Sequence, residues 1–279
     1  MTNVGYDPVY FAQLSAIESR HFWFRARNRI IADVLRRTGL ARTGARVLEA
    51  GCGTGNVLAV LERTLPGGTV VGMDAFVEGL RIARLRTACP VVQGDINHPP
   101  LRPWFDVIAL LDVLEHLEDD TGVLETLRAL LKPGGALLLT VPARRSLWSY
   151  VDEAGHHRRR YESDELEEKL VAAGYRVEYL SHFMLPLFPM VWLGRRLHAL
   201  AGRDPRGRGR DPRQLTSVEL RVVPVLNEIL AWVLALEAVF VRRRRRLPIG
   251  TSLIAVARRA ADPLRDPGAS DVKRMIGLS

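Results

Sequence analysis

A chain of 279 residues, 47% hydrophobic and 25% charged, is long enough for one sizeable α/β core with elaborations at both ends rather than two domains. Its two cysteines, Cys52 and Cys89, exclude a disulfide framework and give no metal spacing, so no metal is expected and a reducing, cytoplasmic setting fits. The first residues include Asp7 and Glu18 and hold no continuous apolar core of a secretory signal, while the formal charge of +9 calls for an anionic partner: nucleic acid, a membrane surface or an acidic substrate.

In chain order, His21-Phe22-Trp23-Phe24-Arg25-Ala26-Arg27 opens a predicted helix whose apolar positions include Ile30, Ile31, Val34 and Leu35. Next, Val47-Leu48-Glu49-Ala50-Gly51-Cys52-Gly53-Thr54-Gly55-Asn56 takes an apolar strand through a turn with three glycines into a helix. Glycine permits positive φ and close backbone approach, so this turn is expected to present bare backbone N–H groups to a ligand, helped by the positive end of the helix. The pattern Glu-x-Gly-x-Gly-x-Gly puts Asn56 where a dinucleotide fingerprint would have glycine or alanine. A pyrophosphate ligand, and with it a nicotinamide-dependent oxidoreductase, is disfavoured.

A helix from Asn56 to Leu65 and the turn Pro66-Gly67-Gly68 precede a second strand, Val70 to Met73, which ends at Asp74. A carboxylate at that strand tip is placed to accept hydrogen bonds from two ribose hydroxyls. A helix from Phe76 to Leu85 leads to a third strand, Val91-Val92-Gln93, followed by Gly94-Asp95-Ile96. A fourth strand, Phe105 to Leu111, runs into Asp112-Val113-Leu114-Glu115-His116-Leu117.

At this point the chain resembles the class I S-adenosylmethionine-dependent methyltransferases, through the order of these motifs from about Arg46 to Val141. The resemblance implies a doubly wound, mostly parallel, seven-stranded Rossmann-like α/β sheet and S-adenosylmethionine as cofactor. Gly51, Gly53 and Gly55 would wrap its methionine portion, with Glu49 orienting it. Asp74 would bind the ribose, Asp95 would meet the adenine amino group under the cover of Ile96, and Asp112 would lie near the cofactor's amino group. The helix opened by His21 to Arg27 either closes over the cofactor, as in related methyltransferases, or packs at the sheet edge.

Further elements complete that sheet: a helix from Thr121 to Leu131, the turn Lys132-Pro133-Gly134-Gly135, a strand from Ala136 to Val141, a helix from Ser163 stopped by Gly174, and strands Arg176 to His182 and Ser252 to Ala257. Between the last two strands, about 65 residues separate His182 from Leu247. There, Phe183 to Leu200 and Val222 to Val241 are apolar and each ends in arginines, with a Gly-, Pro- and Arg-rich stretch from Gly202 to Arg213 that reads as a mobile loop. The expected organisation is an N-terminal helical cap at 1–44, a methyltransferase domain at 45–260 with a helical lid at 183–248, and a flexible tail at 261–279.

Pro224, Asn227, Glu228 and Glu237 interrupt the last apolar run, leaving too little for a bilayer-spanning helix. Its arginines follow apolar helices rather than stacking aromatics, which favours an anionic membrane surface or a lipid-linked acceptor over nucleic acid. A dimer contact is the alternative use of the insertion.

Methyl transfer needs alignment, exclusion of water and a nucleophilic acceptor, and a hydroxyl acceptor profits from a general base. His116 follows the fourth strand, and His156 and His157 in Gly155-His156-His157-Arg158-Arg159-Arg160-Tyr161 follow the fifth. One of these three is expected to be the catalytic base, although the second cluster equally suits a turn held by structural hydrogen bonds. The reading is a methyltransferase for a small-molecule or lipid-linked acceptor, methylated at oxygen, with a non-catalytic cofactor-binding module as the other class.

Overall fold

The computed structural model describes residues 10–200, 223–243 and 245–260. The predicted loop from Gly202 to Arg213 and the predicted tail at 261–279 lie outside the described residues. Seven strands form one sheet: β1 (Arg46–Ala50), β2 (Thr69–Asp74), β3 (Val91–Gln93), β4 (Phe105–Leu111), β5 (Leu131–Pro142), β6 (Tyr175–Phe183) and β7 (Ser252–Arg259), in the order β3-β2-β1-β4-β5-β7-β6. Strands β1 to β5 pair in parallel, and β7 runs antiparallel between β5 and β6. The strand order reverses between β1 and β4, and the carboxyl edge there is where open α/β sheets collect ligands.

The helices are α1 (Tyr10–Ile17), α2 (Phe22–Arg37), α3 (Asn56–Thr64), α4 (Val77–Arg86), α5 (Asp120–Leu130), α6 (Tyr150–Ala154), α7 (Ser163–Ala172), α8 (Phe188–Leu200) and α9 (Pro224–Arg242). Successive β4 side chains face opposite ways, so Val107, Ala109 and Leu111 join one core with α2, α3 and α9, while Ile108 and Leu110 join a second with α5 and α7. Helices on both faces explain why β4 is buried along its whole length and reads as an unbroken apolar run.

Helix α2 forms because Ile30, Ile31, Val34 and Leu35 recur on one stripe, each burial contributing roughly 1.5–3 kcal/mol. His21 Nδ1 accepts the Trp23 N–H at its start, and Gly39, at φ 71, ends it as Leu40 N–H donates back to Leu35 C=O at 3.0 Å. This helix packs on the sheet face. The element over the glycine turn is instead α1, whose Phe11 meets Phe76 at a tilt, 5.8 Å between ring centroids. Glu18, just past α1, accepts hydrogen bonds from Thr54 Oγ1 at 2.6 Å and Arg86 Nη1 at 2.5 Å, and Arg86 Nη2 donates to Ser15 C=O.

One local feature differs from the sequence reading. The predicted turn Lys132 to Gly135 lies inside β5 as a bulge: Leu131 already pairs with Phe105, and the ladder resumes at Val107 with Ala136. In the insertion, α9 runs along α2, where Asn227 takes the Phe22 N–H at 2.8 Å and donates to Arg20 C=O at 3.0 Å. Its Glu237 reaches the turn after β6.

Candidate active site

The glycine turn is shaped by sterics more than by free amides. Gly51, Gly53 and Gly55 have φ of 78°, 48° and 75°. A Cβ on Gly51 would sit 2.5 Å from Val113 Cγ2, and one on Gly55 would sit 2.8 Å from Ala83 Cβ, so both positions admit only glycine. The expected bare N–H groups are already used: Gly51 and Cys52 donate to Met73 C=O, Gly55 to Cys52 C=O, and Gly53 to Asp74 Oδ2 at 2.7 Å. The turn closes on the end of β2, and this turns the amides of Gly51, Cys52 and Gly53 inward.

Asp74 is buried and also accepts the Phe76 N–H through Oδ1 at 2.9 Å. Burial nonetheless keeps its carboxyl above the ordinary value, the hydrogen bonds from Phe76 and Gly53 opposing it. Glu49, at the end of β1, is pushed well up by burial and by Asp74 and Glu18, against the pull of Arg27. Its Oε2 is buried with no hydrogen-bond partner. Asp112 sits at the end of β4 with φ 55, a left-handed conformation rare outside glycine, and accepts from Arg27 Nη1 at 2.6 Å. Trp23 and Phe24 flank that guanidinium at 5.0 and 5.5 Å from their ring centroids. Arg27 was not singled out from sequence; its only trace there was the aromatic run that now holds it.

Arg27 pairs with Asp112 and Arg86 with Glu18, which leaves Glu49 and Asp74 without an ion-pair partner among the described residues, a net acidic site that fits a positively charged ligand. A buried, partnerless Glu49 oxygen suits an ammonium or sulfonium group, and Arg27 suits a carboxylate. Asp95 is half-buried, its Oδ1 held by Asn97 N–H and Nδ2, and Ile96 packs against the core beside it.

Of the three predicted histidines, the structure brings two together. His116 and His157 meet edge to face at 4.8 Å between centroids. Burial and His157 drive His116 down to a pKa of about 3, and its ring is hydrogen-bonded to the His156 backbone. His156 itself is exposed, at φ 56. His157 Nδ1 lies 3.0 Å from Oδ1 of Asp152, a residue the sequence reading missed because it stands five positions away in the separate short helix α6. Burial alone would raise the Asp152 carboxyl, but His157 and Arg160 outweigh it and hold it below the ordinary range. Glu115, 1% exposed, is pushed well up by burial and Asp112.

The arginines of this segment are structural. Arg158 and Arg159 donate to the carbonyls of His116, Leu117 and Glu118, and Arg160 Nε donates to Asp152 at 2.7 Å. The cluster is thus a turn pinned by its arginines.

Glu115, His116 and His157 bring one ligand atom each within 4.8 Å of one another. That spread exceeds the roughly 4.2 Å that two Zn–N bonds could bridge, so the three do not converge on a zinc ion as placed.

The methyltransferase-domain family model matches residues 22–180, and the chain belongs to that family. It is a class I S-adenosylmethionine-dependent methyltransferase by family and fold. Over 110 residues it is 34% identical to the ubiquinone biosynthesis O-methyltransferase of Xanthomonas euvesicatoria, covering 37% of this chain and 45% of that relative, so it spans about half the relative's length. Phosphoethanolamine N-methyltransferase 2 of Haemonchus contortus, solved with S-adenosylmethionine, shares the fold at a TM-score of 0.53 with 18% identity, over 84% of this chain and 53% of that one. A S-adenosylmethionine-dependent methyltransferase from Aquifex aeolicus aligns with a TM-score of 0.50 and 23% identity, over 63% of this chain and 93% of that chain.

Proposed function

We propose that this protein transfers a methyl group from S-adenosylmethionine to a hydroxyl oxygen of a small or lipid-linked acceptor, with His157 as general base. The carrying observation is the Asp152–His157 pair at the carboxyl edge of the sheet. Asp152 accepts a hydrogen bond from Nδ1–H, and in that tautomer the Nε2 lone pair is left to accept the acceptor's hydroxyl proton. A fixed carboxylate also stabilises the imidazolium that results. His116, held neutral far below physiological pH, is a poor base and serves as a wall that orients the His157 ring.

When bound, the cofactor supplies an electrophilic methyl on a positively charged sulfur. The acidic cluster of Glu49, Asp74 and Asp112 supports that cation, and the same cluster repels the dianionic pyrophosphate of a nicotinamide dinucleotide. Oxygen as the methylated atom accords with the O-methyltransferase relative. Incubation with methyl-labelled S-adenosylmethionine and a panel of phenols, catechols, amines and polyprenyl-linked phenols tests the reading. Label is expected on a hydroxyl-bearing acceptor and lost in His157→Ala. Label confined to amines would reject oxygen transfer.

A further inference from the structure

We propose that the outer face of α9 is a peripheral docking surface for an anionic membrane. Among the described residues, large hydrophobic side chains that are exposed fall on α8 and on α9 with the Val223 that precedes it, apart from Leu85, Trp104 and Val171. On α9, Val225, Ile229, Trp232, Leu236 and Phe240 recur at helical spacing along the outside, with Trp232 73% and Leu236 66% exposed. The inside of the helix is already filled, since Asn227, Leu234, Glu237 and Ala238 are buried against α2 and the sheet. A surface helix in water carries charge on its outer face; this one carries an apolar stripe there.

Its acids do not interrupt the stripe. Glu237 is buried, and Glu228 is neutralised by Arg25 at 2.6 Å. Just beyond its carboxyl end stand the exposed Arg243, Arg245 and Arg246, and on α8 Arg196 stacks over Trp192 at 5.2 Å. Apolar and indole groups flanked by arginines match the acyl boundary and headgroups of an anionic bilayer. No described helix is long and apolar enough to cross one, so α9 would lie in the interface. A second copy of this chain fits worse, because it would bring a like-charged arginine rim and a further net charge of +9 to the same contact. This inference stands apart from the methyl-transfer reading.

Co-sedimentation of the full chain with vesicles tests it. Strong association is expected with phosphatidylcholine containing phosphatidylglycerol, little with phosphatidylcholine alone, and less as salt is raised. Arg243, Arg245 and Arg246 changed together to glutamine should weaken it on the order of a hundredfold, about fivefold per arginine. Trp232→Glu with Leu236→Glu should abolish it, while thermal unfolding, which these exposed positions hardly affect, stays near that of the parent. Failure of the parent to bind anionic vesicles at low salt would overturn the proposal, as would binding undiminished in the glutamate variant. A parent dimer that the glutamate variant splits, without vesicle affinity, would assign the face to self-association instead.

Discussion

The fully buried carboxylate of Asp152 sits 3.0 Å from Nδ1 of His157, two residues from different segments joined at the carboxyl edge of the sheet. Because the pair fixes the tautomer, His157→Ala is expected to lower turnover by about 10²–10⁴-fold with S-adenosylmethionine affinity retained. Asp152→Asn should lower it too, through the wrong tautomer. His116→Ala should cost less than about tenfold, since a ring whose pKa is driven down to about 3 is too weak a base to matter. Steady-state kinetics with calorimetric binding reads all three, and a His116→Ala loss as large as that of His157→Ala would reject the assignment.

Gly51 and Gly134 separate backbone strain from collision. Both have φ above 70°, but a Cβ at Gly134 meets nothing within 4 Å, whereas at Gly51 it meets Val113 at 2.5 Å. Gly134→Ala should cost only about 1–2 kcal/mol of left-handed strain. Gly51→Ala should cost clearly more and weaken cofactor binding as well. Urea denaturation of the two variants reads the difference, and equal costs would mean that the contact with Val113 relaxes freely.

Asp74 holds the glycine turn through Gly53 and stands at the β2 tip. Asp74→Asn removes the charge and, having one acceptor oxygen, also gives up the bond from either Gly53 or Phe76, so S-adenosylmethionine affinity should fall by about 1–3 kcal/mol while the fold persists. Unchanged affinity by calorimetry would remove Asp74 from the cofactor site.

Glu237 offers a test in stability. Burial raises its carboxyl from the ordinary 4.5 to about 7, the Leu185 and Met184 amides offsetting this only in part. A raised carboxyl favours the protonated folded state, so its contribution is full below 4.5 and is lost as pH rises through about 7. Glu237→Gln mimics the protonated form. The variant should match the parent near pH ~4 and exceed it by up to about 3 kcal/mol near pH ~8. A gap that does not widen with pH would contradict the burial of a strained acid there.

Most of the sheet was legible because its signals are local: β4 is an unbroken apolar run, and Gly174, at φ 82, stops α7 where the sequence placed a stop. The glycine turn was legible as a close approach, but not as a turn whose amides are spent on Met73 and Asp74, since those partners lie across the strand pairing. Arg27 escaped for the same reason, whereas Asp152 stands five residues from His157 and was missed because it lies in the separate helix α6. Arg27 meets Asp112 from 85 residues away, and nothing near either in sequence marks the partner. The predicted turn at Lys132 to Gly135 carried correct glycine chemistry, yet only the pairing of Leu131 with Phe105 makes it a bulge.

Isothermal titration of the purified chain with S-adenosylmethionine and, separately, with NAD tests the central claim most directly. An acidic cluster around a glycine turn whose first amides point inward should give saturable binding of S-adenosylmethionine, weakened in Asp74→Asn, and no measurable binding of NAD. Saturable binding of NAD with none of S-adenosylmethionine would contradict the account.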